Sequence, residues 1–280
     1  MKFKNPSIKD IIACPLCKET LAYNESDNFL SCGACNNMYE TYDGVPVFTE
    51  KHKIIQIDIQ QNSIARKIYN TIPEATTWID NTAFDFINKL PDSHVILNLG
   101  SGQGIFDRKI TKKMINLDIV VNERTEVVAD AHYLPFKNNS IDCIFSNAVL
   151  EHVKKPWIVA SEIERVLKVG GYVVINLPFL NIIHDDEDYF RFTLKGIREL
   201  FPNCKQIYGG VSSGCASFLP ICALEYFKLF IPTDILKKAF SFVWGHLFYR
   251  LKSVDRMVSH KEKYCYTANS FYFIGTRLNG

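Results

Sequence analysis

Cys14, Cys17, Cys32 and Cys35 form two Cys-x-x-Cys pairs with a gap of 14 residues between them. Two turns at this spacing present four thiolates tetrahedrally to Zn2+, and a site closed by four protein ligands leaves no open position for a substrate. The expected metal is therefore a structural zinc. Cys143, Cys204, Cys215, Cys222 and Cys265 stand alone and are expected to be small apolar core or surface residues. An odd total of nine cysteines speaks against a disulfide framework and for a reducing compartment.

A second group has the spacing of a nucleotide site. Leu97-Asn98-Leu99-Gly100-Ser101-Gly102-Gln103-Gly104 falls where a buried strand turns into a helix, and glycines there let the backbone approach a ligand and leave a helix N-terminus open to polar groups. Alone, G-x-G-x-G fits dinucleotide enzymes equally well. Asp118, at the end of a second strand, can accept hydrogen bonds from both hydroxyls of a ribose. Asp130-Ala131 follows a third strand, where a side-chain acceptor and a backbone amide can read an adenine edge. The run from Leu134 to Asp142 then leads into a fourth strand ending at Asn147.

Directly after a fifth strand, where open α/β sheets place their ligand crevice, comes a segment running from His184 to Arg191. His184 can take a proton from a substrate hydroxyl or amine, because the unperturbed pKa of an imidazole lies near working pH. Tyr189 and Arg191 join it as candidate catalytic residues, the alternative for Arg191 being an ion pair with Asp188 that orders a lid. Glu151-His152 opens the connection after the fourth strand, where it could shape the crevice.

Short apolar runs must position these groups: HVILNLG, MINLDIV, TEVVAD, IDCIFSN and GYVVINLP, from His94 onward. Polar on neither face, they suit a parallel sheet covered by helices. The spacing predicts helices over 104–113, 156–168 and 194–201, and a last strand over 270–277 partnered by 205–209. The fold class is α/β, a Rossmann-like doubly wound, mostly parallel sheet. Only eleven residues separate Asp118 from Asp130, so a short turn is expected there in place of a helix. Residues 1–50 read as a small zinc ribbon closed by Asp43-Gly44-Val45-Pro46. Residues 51–93 read as a helical linker and cap, with Ile57, Ile64 and Ile68, then Ile79, Ala83, Phe86 and Leu90, at helical spacing. The large domain is expected over 94–280, with a helical insertion at 212–268 before the last strand.

A chain of 280 residues, 47% hydrophobic and 22% charged, is neither disordered nor collagenous. Its net charge of +2 gives no global basic field, which makes nucleic acid the weaker candidate partner. No apolar run follows the opening MKFKNPSIKD and no stretch is long enough to span a bilayer, so a cytoplasmic location is expected, with peripheral attachment at the inner face of the membrane as an addition. That addition rests on 216–264, where eight Lys/Arg and four Asp/Glu are interleaved with aromatic residues. Leu236, Phe240, Val243 and Leu247 share one helical face there, widened by Trp244 and Phe248. Such helices either pack on the domain as a cap or lie in a membrane interface.

On LNLGSGQG, the strand-end Asp118, VVADAHYLPFKNNSIDCIFSNAVLEHV and EIERVLKVGGYVVINLPF, residues 94–201 resemble the class I S-adenosylmethionine-dependent methyltransferases. The resemblance implies that Gly100, Ser101 and Gly102 pass the methionine moiety, that Asp118 binds the ribose with Ile119 in the same cofactor set, and that Asp130 with Ala131 meets the adenine. Asn147 would lie near the methionine end. Asn98 stands where many relatives carry an acidic residue. PFLNIIHDDEDYFRFT is similar to a bacterial subgroup in which a His precedes a D-Y-x-R-F-T segment, commonly found among surface-polysaccharide and glycan biosynthesis functions. The ribbon resembles the small zinc-binding proteins that partner tRNA and protein methyltransferases, here fused in cis.

These resemblances imply a methyltransferase with S-adenosylmethionine as cofactor and a structural Zn2+, acting on an oxygen or nitrogen of a small-molecule, glycan-related or lipid-linked acceptor. The alternatives are a ribosomal RNA or tRNA methyltransferase, and a non-catalytic zinc-ribbon scaffold that holds a partner.

Overall fold

The structure, a computed structural model, describes residues 3–24, 28–49, 80–104, 107–183 and 185–279. Ile57, Ile64, Ile68 and Ile79 of the expected linker helices, and also His184, lie outside those residues. Four short strands build the N-terminal unit: β1 (Leu21–Asn24), β2 (Phe29–Cys32), β3 (Met38–Tyr42) and β4 (Val45–Pro46), antiparallel in chain order.

Helix α1 (Thr82–Asn88) leads into the strands β5 (Ile96–Leu99), β6 (Ile115–Asp118), β7 (Val127–Val128), β8 (Ile141–Asn147), β9 (Leu167–Pro178), β10 (Cys204–Ser213) and β11 (Ser270–Arg277). They form one sheet in the order β10-β11-β9-β8-β5-β6-β7. β5 to β9 pair in parallel, whereas β11 is antiparallel to both of its neighbours. Side chains alternate along each strand, so Leu97, Leu99, Ile144, Val173 and Ile175 share one core with α2 (Pro156–Val166) and α3 (Leu194–Leu200). Ile96, Phe145 and Val174 point the other way and meet Phe84 and Ile87 of α1. Because α1 covers a sheet face directly, the large domain extends back to residue 82, beyond the expected boundary at 94.

The expected helix over 104–113 is absent from the described residues, where a 3-10 turn at Asp107–Lys109 takes its place. Asn88 of α1 accepts from Thr111 N at 2.8 Å and donates to Lys109 O at 2.9 Å, drawing away the backbone groups a helix would pair. The loop 119–126 is a short turn, as the spacing predicts. α2 stops at Val166 rather than at the expected 168, and the chain passes straight into β9. A Cβ on Gly171 would lie 2.8 Å from Lys168 O and 2.9 Å from Asp142 O, so this close backbone approach admits only glycine.

The ribbon docks on the short edge strand. Val47 bridges Val128, Phe48 N donates to Val128 O at 2.8 Å, and Ala13 N donates to Pro135 O at 2.9 Å. This covers an edge that would otherwise present unpaired backbone groups. Ile8, Ile12, Cys14, Leu30 and Cys32 belong to the same apolar core as the sheet. Lys18 pairs with Glu162 of α2 at 2.8 Å, and Glu162 in turn holds Arg165 and Leu134 N. Burial raises the Glu162 pKa, but the hydrogen bonds from Arg165 and Lys18 outweigh it and hold the carboxyl below its ordinary range.

Helices α4 (Cys215–Lys228), α5 (Asp234–Phe248) and α6 (Lys252–Val258) follow β10, and a 3-10 segment at Glu262–Thr267 returns the chain to β11. α4 and α5 meet through Phe227 and Trp244, whose rings lie 5.6 Å apart, and Trp244 Nε1 donates to Pro220 O at 2.8 Å. The expected broad apolar face is divided: Phe240, Trp244 and Phe248 are partly buried, whereas Leu236, Val243 and Leu247 face solvent. These helices are therefore not a cap packed around all their apolar faces. No helix among the described residues is long and apolar enough to cross a membrane.

Candidate functional site

The four ribbon thiols converge, with all Sγ atoms within 4.8 Å of one another. Cys17–Cys32, Cys17–Cys35 and Cys14–Cys35 are 3.3, 3.5 and 3.6 Å apart. A tetrahedral zinc with bonds of about 2.3 Å has sulfur–sulfur edges of about 3.8 Å, so the set fits one zinc ion. The two turns repeat one backbone pattern: Lys18 N donates to Cys14 O and Asn36 N to Cys32 O, each at 2.9 Å. Lys18 and Asn36 take positive φ values of 68° and 57° as each turn closes. Asn37 Nδ2 lies 3.1 Å from Cys35 Sγ and Tyr39 OH 3.1 Å from Cys14 Sγ, supplying the polar contacts thiolates need.

The glycine turn leaves β5 at Gly100, where φ is +71° and a Cβ would strike Val149 Cγ2 at 2.3 Å. Glycine is required there on both counts. Gly102 N donates to Asp118 Oδ2 at 2.7 Å and Val120 N donates to Asp118 Oδ1 at 3.0 Å, so the strand-end carboxylate closes the turn. Each carboxylate oxygen can still accept a second hydrogen bond. Asn122 Nδ2 donates to Gly102 O at 3.0 Å, and the Arg124 guanidinium lies against Gly104. Asn122 and Arg124 had no sequence signal beyond their place in an unusually short loop. Ile119 follows Asp118 at the surface, and Asn98 is turned to Asn116, donating from Nδ2 at 2.9 Å.

Asp130 caps the 3-10 turn Ala131–Tyr133, its Oδ1 accepting from His132 N at 3.0 Å and lying 2.6 Å from His132 Nδ1. Ala131 is buried beside it. Asn147 Oδ1 accepts from Asn176 Nδ2 at 2.6 Å, across the β8–β9 pairing. Asn176 was not singled out from the sequence, although it is a lone amide in the apolar run GYVVINLP. Ser101 Oγ, Ser146 Oγ and Asn176 Oδ1 are buried without a hydrogen-bond partner among the described residues. All three belong to the carboxyl ends of β5, β8 and β9, where a bound polar ligand would satisfy them.

The post-strand segment folds over the turn at Leu150–His152. Tyr189 N donates to Glu151 O at 2.8 Å, and His152 Nδ1 lies 2.7 Å from Glu187 O. Arg191 forms a two-pronged pair with Asp188 and donates from Nη2 to Ile182 O at 2.7 Å. These contacts match the loop-ordering alternative for Arg191. The Tyr189 ring is exposed at the surface of this loop. Glu151, for which shaping the crevice was one expected role, is fully buried, and neither of its carboxylate oxygens has a hydrogen-bond partner among the described residues.

Residues 97–175 match the family model for the methyltransferase domain. An uncharacterized methyltransferase of Mycobacterium sp. (strain KMS) is 29% identical over 99 residues, which cover 31% of this chain and 39% of that protein. The malonyl-(acyl-carrier protein) O-methyltransferase of Marinomonas sp. (strain MWYL1) is 33% identical over 105 residues, again 31% and 39%. The chain thus spans 39% of the length of these relatives. Among solved structures, the (4+2)-cyclase SpnF aligns over 77% of this chain and 93% of its own at 14% identity and a TM-score of 0.48. Phosphoethanolamine N-methyltransferase 2 of Haemonchus contortus, in complex with S-adenosyl-L-methionine, aligns over 71% and 52% at 18% identity and a TM-score of 0.43. Both are too distant for their activities to bear on this chain. Residues 97–175, the stretch that matches a methyltransferase domain, carry the glycine turn, Asp118 and Asn147.

Proposed function

We propose that the protein is an S-adenosylmethionine-dependent methyltransferase that acts on an oxygen or nitrogen of a glycan-related or lipid-linked acceptor and holds a structural zinc at Cys14, Cys17, Cys32 and Cys35. The observation that carries this reading is the closure of Gly102 on Asp118 at 2.7 Å, inside the segment that matches a methyltransferase domain. Ser101 Oγ and Asn176 Oδ1, buried and without a hydrogen-bond partner among the described residues, fit a polar cofactor at the same end of the sheet. Bound there, S-adenosylmethionine supplies an electrophilic methyl group on a sulfonium sulfur.

Asp118 accepts from the ribose hydroxyls, Ile119, Asp130 and Ala131 flank the adenine, and Gly100, Ser101, Gly102 and Asn147 border the methionine end. The chain's main contribution is to hold the acceptor's lone pair in line with that methyl and to exclude water. His184 is the proposed base for an acceptor that must lose a proton. Tyr189 forms part of the crevice lip, and Arg191 positions the loop through Asp188. The free cysteines suit a reducing, cytoplasmic setting. An acceptor carried on a lipid is supported by the apolar helices α4 to α6, which leave the sheet at the crevice end.

Titration of the purified protein with S-adenosylmethionine, followed by transfer of a labelled methyl group into cell-envelope, lipid and RNA fractions, tests the proposal. Saturable cofactor binding and label in a glycan or lipid fraction are expected. Label confined to RNA would overturn the acceptor class, and absence of saturable binding would overturn the enzyme.

A further inference from the structure

An α-helix on a protein surface normally turns its polar face to water. α5 does the reverse. At 3.6 residues per turn, Ile235, Leu236, Phe242, Val243 and Leu247 fall within an arc of about 140°. They are 81, 53, 41, 63 and 69% exposed. The helix already half-buries a different apolar stripe, Phe240 and Trp244, whose rings pack together and against Phe227. Its outward stripe is therefore surplus to the fold. Leu229 and Phe230 in the preceding turn and Met257 of α6 are also among the most exposed large apolar residues, at 77, 70 and 71%. An exposed apolar surface so concentrated marks an interaction site.

Charge selects the occupant. Among the described residues from 229 to 263, the exposed cations are Lys238, Arg250, Arg256, Lys261 and Lys263, whereas the exposed acids are Asp234 and Glu262. The remaining acid, Asp255, is buried against the start of α4. Two copies of this surface placed face to face would oppose cation to cation. An anionic bilayer receives the apolar side chains below its headgroups and the cations at them. α5 has 15 residues, about 22 Å of helix, and is too short to cross the hydrocarbon layer of about 30 Å, so it would lie in the interface.

Register fixes where this surface stands. Ser213, the last residue of β10, pairs with Ser270, and Ser270 pairs with Pro178 at the end of β9. The helices therefore leave the sheet at the end that carries Asn147, Asn176 and the loop with Tyr189. We propose that the outward faces of α5 and α6, with the turn before α5, dock on an anionic lipid bilayer and set the crevice end of the domain against it. Docking itself does not depend on the methyltransferase reading, and cofactor titration separates the failure of one from the failure of the other.

The test is flotation of the full chain with vesicles of mixed phosphatidylglycerol and phosphatidylcholine, and with phosphatidylcholine alone. The protein should float with the anionic vesicles at low salt and be released at high salt. Val243→Glu with Leu247→Glu should abolish flotation, and Lys238→Glu and Arg250→Glu should each weaken it by about fivefold or more. All four positions are exposed, and circular dichroism with cofactor titration verifies that each variant is folded. Failure to float at low salt would overturn the proposal. So would equal flotation of the Val243→Glu, Leu247→Glu variant, or a stable dimer that this variant dissociates while lipid binding is absent.

Discussion

The carboxylate of Asp255 in α6 accepts hydrogen bonds from both the backbone N–H and the hydroxyl of Ser217 in α4, at 2.8 and 2.6 Å. Ala216 N donates to the same carboxylate at 3.0 Å. The residue at the N-cap of α4 is Gly214, which has no side chain to offer, so the first-turn N–H groups are met from 38 residues away. The buried charge is stabilised by these donors and by the positive end of the helix. One contact thus fastens the third helix of the insertion to the base of the first.

Replacing Asp255 with Ala should destabilise the insertion by ~1–2 kcal/mol, the upper part of the range for a lost helix cap. Amide exchange in 215–228 should accelerate while S-adenosylmethionine binding at the proposed site around Asp118 is retained. Unchanged exchange in a folded Asp255→Ala protein would refute the capping role.

Asp118 closes the glycine turn and is the proposed acceptor for the ribose hydroxyls. Asp118→Ala should weaken cofactor affinity by about 1.5–3 kcal/mol, the range for hydrogen bonds to a charged group. Asp118→Asn keeps one acceptor oxygen and should lose less. Calorimetric titration distinguishes them, and wild-type affinity in a folded Asp118→Ala protein would remove this residue from the site.

Much of this fold was legible because buried parallel strands are continuous apolar runs. LNL, CIFS and VVIN need no partner in the sequence to be recognised. The four cysteines were legible for a similar reason, since metal geometry is written in short spacings. What escaped depended on distant partners. Asn88 takes the backbone groups of the expected helix after the glycine turn, and Asp255 caps α4 from far along the chain. Periodicity grouped Phe240 with Val243 and Leu247 on one face, but it could not say that the first would turn toward Trp244 and the other two toward solvent.

The ribbon pairs with β7 and with the segment after Tyr133 through Phe48 and Ala13, so the proposed zinc would also bear on the large domain. One zinc per chain is expected by elemental analysis. Chelation, or Cys32→Ser, should unfold the ribbon and increase amide exchange at Phe48 and Ala13, while β8 and β9 stay protected. Protein purified without chelator and found free of zinc would contradict the assignment.

Glu151 gives the crevice a pH dependence of definite sign. Burial pushes its carboxyl from about 4.5 up to about 7, with Asp188 adding to the rise while His152 and Arg191 oppose it. Across that window the folded protein keeps a proton that the unfolded chain has released. Stability should therefore fall as pH rises from about 4.5 to about 7 and show no further loss from this group above it. Glu151→Gln cannot ionise, so this component of the slope should vanish, leaving the variant more stable than the wild type at about pH 8 and close to it at about pH 5. Urea unfolding at a series of pH values measures both. A wild-type curve with the same pH slope as Glu151→Gln would mean that Glu151 is ionised in the native state across the whole range. The coulombic pull of His152, 3.9 Å away, and of Arg191 would then offset its burial.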